Sequence, residues 1–248
     1  NNCTKMNLEF FDKQLKIADF SEDFQEYLLN SKSLVIGAGG IGCPLIIYLS
    51  SSGFGDITIF DGDKIEASNL QRQFMYSEKD CGEFKAMIMQ EKVSQQYPHI
   101  KITSYCENLY EKKLYEIIND FDFIFDATDN FESRYFINDI CSEFKKPLIS
   151  GGADAMKGIV TYLNFHNDAP CYECIFPRKA SLDEQPCDNN GVTPSVLGMV
   201  GTMMVSAALK LSFDKNVDCV MTRIDAKTLI VSQSNIKKDI CCNICGDK

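Results

Sequence analysis

The stretch SLVIGAGGIGCPLIIYLSSSG, residues 33–53, decides how the rest of the chain is read. Its apolar start, Ser33–Gly37, has the length and composition of a short buried strand. The strand gives way to GAGGIG (Gly37–Gly42), and CPLIIYLSSSG (Cys43–Gly53) continues as a helix that is apolar nearly all round and stops at glycine. Glycines at 37, 39, 40 and 42 let the backbone approach a phosphate closely. The helix start supplies free N–H groups and a partial positive charge. One strand later, DITIFD (Asp56–Asp61) ends in Asp61, about twenty residues on, where a carboxylate can accept hydrogen bonds from ribose hydroxyls. A tight strand–helix turn with no ligand is the plain alternative. The pattern by itself does not separate a dinucleotide from a mononucleotide.

Working outward, residues 8–30 read as a helical lead-in, with FSEDFQEYLLNS (Phe20–Ser31) at helical spacing behind an acidic first turn. After Asp61 come a helix at Lys85–Tyr97 stopped by Pro98, a strand at Ile100–Cys106, a helix EKKLYEIINDF and a strand at Phe121–Asn130. A helix at Ser133–Phe144 then leads to PLISGG (Pro147–Gly152). This alternation predicts an α/β fold with a Rossmann-like, mostly parallel sheet and helices on both faces. Beyond Gly152 the pattern changes. IVTYLNF (Ile159–Phe165) reads as an antiparallel strand, Val196–Leu211 as a strongly apolar helix, and TRIDAKTLIVSQSNI as a final strand or hairpin. One continuous domain is expected over 1–248: lead-in 1–31, nucleotide-binding half 32–152, second half 153–248.

The run SNLQRQF (Ser68–Phe74) is too polar for core, and a nicotinamide enzyme has no evident need for it. Asn69, Arg72, Lys85 and Asp129 all fall at strand or helix ends and can converge on a triphosphate. Arg72 offers a planar fork of donors. Lys85 opens a helix. Asp129 ends a strand on the edge where doubly wound sheets bind ligands, and its carboxylate suits Mg²⁺. Each residue singly also reads as part of a solvated loop.

Together, GAGGIG, FDGD, SNLQRQF, GEFK (Gly82–Lys85) and TDN (Thr128–Asn130) resemble the adenylyltransferases that activate ubiquitin-like sulfur carriers, the MoeB/ThiF family. The likeness runs from about Lys13 to Cys245. It implies that the carboxylate of a carrier's C-terminal Gly-Gly attacks the α-phosphate of ATP, giving an acyl-adenylate and pyrophosphate. That nucleophile is already ionised and needs no general base, only charge neutralisation and alignment. A chain with two histidines, His99 and His166, fits such chemistry. The resemblance implies nucleotide contacts from Gly37, Gly39, Gly40, Gly42, Asp61, Asp63, Ser68, Asn69, Leu70, Gln71, Arg72 and Lys85. It implies Mg²⁺ at Asp129 beside Asn130, and a homodimer into which the carrier tail threads. The family's N-terminal R-Y-x-R-Q appears here as FFDKQ (Phe10–Gln14). Lys13 therefore stands where an arginine reaches the neighbouring subunit's γ-phosphate, keeping the charge without the fork.

Twelve cysteines in an intracellular-looking chain read as thiols or metal ligands. CYEC (Cys171, Cys174) and CNIC (Cys242, Cys245) form two C-x-x-C pairs suited to one tetrahedral zinc, and the family carries the same structural site. Cys241 is a register rival, but only Cys242 gives the spacing. Cys187 lies alone in SLDEQPCDNNG, where some family members form a covalent link. Its neighbours Asp183, Glu184 and Asp188 work against a reactive thiolate.

A net charge of −10 argues against broad nucleic-acid or anionic-membrane binding. No 20-residue segment reads as a membrane span, and the start shows no secretory signal; a cytoplasmic setting is expected. Any sulfur donor is expected to be a separate protein. Four rivals remain: a NAD-dependent oxidoreductase, a zinc-stabilised binding scaffold, a peptide adenylating enzyme of antimicrobial biosynthesis, and a tRNA-nucleoside dehydratase. The first leaves Arg72, Lys85 and the paired cysteines without work. The acidic balance and the paired cysteines argue against the last.

Overall fold

The computed structural model describes residues 8–165, 169–178, 191–214 and 217–246. Eight strands form one sheet in the order β3-β2-β1-β4-β5-β6-β7-β8. β1 (Lys32–Ile36), β2 (Asp56–Phe60), β3 (Lys101–Tyr105), β4 (Phe123–Asp126) and β5 (Leu148–Asp154) are parallel. β6 (Lys157–Leu163), β7 (Val220–Asp225) and β8 (Ile230–Asn235) continue it antiparallel. The expected parallel sheet with antiparallel continuation is thus what the chain builds.

The strands are short apolar runs covered on both sides, and their alternation sorts the side chains. Val35, Ile57, Ile59, Phe125 and Ile149 join one core, with α2 (Gly42–Ser52), α3 (Lys85–Gln96) and α7 (Pro194–Phe213). Leu34, Ile36, Phe60, Ile124 and Leu148 join the other, with α4 (Glu111–Ile117), α5 (Phe131–Glu143) and the short α6 (Tyr172–Ile175). The lead-in is less helical than expected. It is a 3₁₀ turn at Leu8–Phe11, further turns, and then α1 (Glu22–Asn30), whose N-cap Ser21 accepts the Phe24 N–H at 3.1 Å.

One expectation needs correction. α7 is 20 residues long and apolar enough, by length and composition, to cross a bilayer. Here Val196, Leu197, Val200, Met204, Val205, Ala208 and Leu211 are buried in the first core. A helix wedged between α2 and the sheet must be apolar round most of its circumference, which is why its composition mimics a membrane span.

The chain runs outward from β1 to β2 and β3 on one side, then returns to β4 and β5 on the other. The direction reverses between β1 and β4, so a crevice opens at their C-terminal ends, the place where such sheets hold ligands.

Candidate functional site

The glycine loop fills that crevice. Gly37 has φ +102°, and a Cβ there would lie 2.7 Å from the Ala127 carbonyl oxygen at the end of β4. A Cβ on Gly42 would meet the Gly37 oxygen at 2.2 Å. Only glycine fits either position, and the loop is thereby pressed against the β4 end. Gly40 faces Leu197 of α7, where a Cβ would touch the side chain at 2.7 Å.

Asp61 is buried, and burial pushes its carboxyl above the usual range. Its oxygens accept the Ala38 N–H at 2.7 Å and the Asp63 N–H at 2.9 Å, so it braces the glycine loop directly. Each carboxylate oxygen retains a further lone pair. Asp63 is exposed and reaches back to α3, where the Lys85 Nζ donates to its Oδ2 at 2.8 Å. Lys85, the first residue of α3, is buried along its stem, and its own N–H donates to the Asp63 carbonyl at 3.0 Å. The loop, Asp61, Asp63 and Lys85 are one hydrogen-bonded unit.

The SNLQRQF run forms a 3₁₀ turn (Ala67–Asn69) with a tight continuation. The fork of Arg72 donates to the Ser68 carbonyl at 3.2 Å and to Asn69 Oδ1 at 2.5 Å. Leu70 packs on the core, and Ser68 and Gln71 are exposed. Among the described residues, no hydrogen bond or ion pair joins Arg72, Lys85 and Asp129. The buried Gln73, also part of the SNLQRQF run, is not among the expected contacts. Its Nε2 lies 3.6 Å from where a Gly39 Cβ would be, and its Oε1 finds no partner among the described residues. This ties the polar run to the glycine loop.

Asp129 stands exposed at the turn after β4. A single exposed carboxylate at the crevice fits a hard cation shared with a phosphate. Asn130, expected beside the metal, is a helix cap: its Oδ1 starts α5 by accepting the Ser133 N–H at 2.8 Å. Two bracing residues had no sequence signal. Buried Asp126 accepts from the Thr128 N–H at 3.0 Å and from the Thr128 and Ser150 hydroxyls. Arg134 donates to the carbonyls of Thr128 at 2.6 Å and Gly151 at 3.0 Å. Together they fix the turn that carries Asp129.

Lys13 is not brought to this chain's own loop. It is exposed and paired with Asp12, and its neighbour Gln14 bonds to the Ser52 carbonyl at the far end of α2. A helix of 11 residues separates that end from the glycine loop, about 16 Å, beyond a lysine's reach. Cys187 and His166 lie outside the described residues. His99 packs among Phe10, Phe11 and Tyr97, as suits a structural group. Cys43, behind the loop, is pushed up to about 12 by burial, so its thiol stays protonated.

The two C-x-x-C pairs do meet. Cys171 lies 3.6 Å from Cys242 and 4.0 Å from Cys174, and Cys174 lies 3.3 Å from Cys245. All four sulfurs fall within 4.8 Å of one another. Four thiolates at about 2.3 Å around zinc would stand about 3.8 Å apart, so the set fits a closed tetrahedral ion. The hydrogen bond from Cys171 holds the Cys174 thiol below its ordinary range, and the Asp239 N–H supports it at 3.4 Å. Cys241 is exposed and outside the cluster.

The sequence model of the ThiF family matches residues 11–243. The sulfur carrier protein adenylyltransferase of Thermus thermophilus is 31% identical over 252 residues, covering 99% of this chain and 93% of that protein. The adenylyltransferase and sulfurtransferase MOCS3 of Dictyostelium discoideum is 35% identical over 97% of this chain and 58% of its own length. The chain spans about half the length of the MOCS3 and UBA4 relatives it matches. The crystal structure of E. coli MccB with ATP superposes with a TM-score of 0.77 at 22% identity, covering 90% of this chain and 68% of that one, a shared fold.

Proposed function

The chain belongs to the ThiF family, and from that and the site's geometry we propose that it adenylates the C-terminal Gly-Gly carboxylate of a ubiquitin-like sulfur carrier with ATP, releasing pyrophosphate. One observation carries the reading. The glycine loop is pressed against the turn that leads to Asp129 and is linked through Asp61 to the Asp63–Lys85 pair, offering backbone donors, one ammonium and two exposed carboxylates. That set suits a polyphosphate with a divalent cation.

In this reading the glycine loop and Asp61 hold the nucleoside, with Asp61 keeping the loop in shape. Lys85 and Arg72, the latter held by Asn69, neutralise charge on the phosphates as the anionic tail approaches the α-phosphate. Asp129 would hold Mg²⁺, which when bound screens the phosphate charge. No residue need take a proton, since the attacking carboxylate is ionised. The four cysteines would hold a structural zinc that ties residues 242–245 to the body. Lys13 would act on a second subunit's nucleotide in a homodimer. The relatives named for sulfur-carrier activation support this carrier class over an antimicrobial peptide.

The test is incubation with ATP, Mg²⁺ and candidate carriers ending in Gly-Gly, followed by intact-mass measurement. A carrier heavier by one adenylyl group is expected. ATP-independent hydride transfer with NAD, and no adenylylated tail on any carrier, would overturn the reading.

A further inference from the structure

We propose that Tyr76 is a positioning residue for phosphate binding: its hydroxyl fixes the peptide plane that aims the Gly39 N–H into the nucleotide crevice. This rests on the nucleotide-binding reading above.

Tyr76 is buried, and its hydroxyl donates to the Ala38 oxygen at 2.7 Å, with the Lys85 oxygen at 3.2 Å as a second acceptor. The Cys43 thiol also approaches the Ala38 oxygen, at 3.6 Å. The carbonyl of Ala38 is therefore held inward, behind the loop. In a trans peptide the C=O of one residue and the N–H of the next point in opposite directions. Holding the Ala38 oxygen in turns the Gly39 N–H out. Gly39 is half-exposed, and its N–H has no acceptor among the described residues.

The preceding plane is fixed as well, because Asp61 takes the Ala38 N–H. The Ala38–Gly39 plane has no such clamp except Tyr76 and the weak thiol contact. A glycine on one side of a peptide lets that plane rotate at little steric cost. Without the phenol hydroxyl, the plane is free to turn its carbonyl toward the crevice, where an oxygen would repel phosphate. Because the same hydroxyl reaches the Lys85 carbonyl, it also sets the loop against the start of α3.

The test compares Tyr76→Phe with the parent, titrating ATP and adenosine separately at a temperature where melting curves show both proteins folded. ATP affinity is expected to fall about tenfold, the loss of one N–H donor to a charged acceptor, while adenosine affinity stays unchanged. Replacement of Tyr76 by 4-aminophenylalanine, which keeps a donor in place, should restore ATP binding. Equal losses for ATP and adenosine, or no loss for either, would show that Tyr76 only stabilises the fold and overturn the inference. A parent that binds neither ATP nor adenosine would instead overturn the nucleotide reading on which it rests, and the role of Tyr76 with it.

Discussion

Replacing Lys85 with methionine separates the charge at the crevice from the packing beneath it. The side chain of Lys85 is only 7% exposed and that of its partner Asp63 is 66% exposed. Methionine keeps the buried stem filled, and Asp63 left alone remains in water. Stability should change by only about 0–1 kcal/mol, because a buried charge gives way to an apolar group of similar length and the exposed carboxylate left behind is hydrated. The kinetic cost is of another size. A unit charge about 4 Å from a phosphate oxygen contributes about 4 kcal/mol at an effective dielectric near 20. Asp63 at 2.8 Å offsets part of that. A net loss of about 3 kcal/mol in the transition state remains, a fall of about a hundredfold in turnover. ATP–pyrophosphate exchange in the presence of a competent carrier reads this directly, with a urea melt to confirm that the variant folds. Asp63→Asn is the control: it frees the ammonium without removing it, so exchange should change by much less. If Lys85→Met exchanges within threefold of the parent, or if Asp63→Asn is as damaged as Lys85→Met, the ammonium is not the group that meets the phosphates.

Metal analysis of unchelated protein should find one zinc per chain, and a chelator should lower resistance to urea. By the cross-link estimate, joining positions 71 residues apart contributes about 4 kcal/mol; protein that holds no zinc would remove the site. Asp80 accepts from the Ser77 N–H and hydroxyl and from Lys92; burial works against its ionisation, but Lys92 and Ser77 hold its carboxyl down to about 2. Its folded value lies below its ordinary one, so its contribution is complete above about pH 4 and is lost as pH falls through about 2. The melting gap between the parent and Asp80→Asn should therefore close between pH 4 and 2, and a gap constant down to pH 2 would contradict this. For Lys13, mixing inactive Lys13→Ala with inactive Lys85→Ala should regain activity, because a mixed dimer holds one site with both lysines. A mixture as dead as its components would exclude action across subunits.

How much of this could be read in the sequence depends on the range of the signal. The glycine loop, the strand–helix alternation and the two C-x-x-C pairs are local patterns, and each appears where it was expected. Asn130 shows the limit of a local pattern. The family resemblance sets it beside the metal; an asparagine just before a helix also reads as a cap, and its Oδ1 takes that role as well, 2.8 Å from the Ser133 N–H. α7 shows the same limit: its composition announces an apolar helix, and only the fold shows that α2 and the sheet are what bury it.

The residues that shape the site without touching its ligand had no local signal. Tyr76 meets a carbonyl 38 positions away, Arg134 joins the turn after β4 to strand β5, and Asp126 reaches across to Ser150. Each has an ordinary side chain whose partner is supplied only by the fold. Their bonds run to backbone groups or to neighbouring turns, so what they control is the direction of N–H groups and the placement of one carboxylate. A polyphosphate site built from backbone donors needs such control more than it needs extra cations. An ammonium on a flexible stem can adjust to a phosphate that is slightly displaced, whereas a peptide plane turned the wrong way presents an oxygen and repels it. The charged residues that the sequence announces supply attraction. In the proposed reaction, the buried polar residues that it conceals decide where that attraction is aimed.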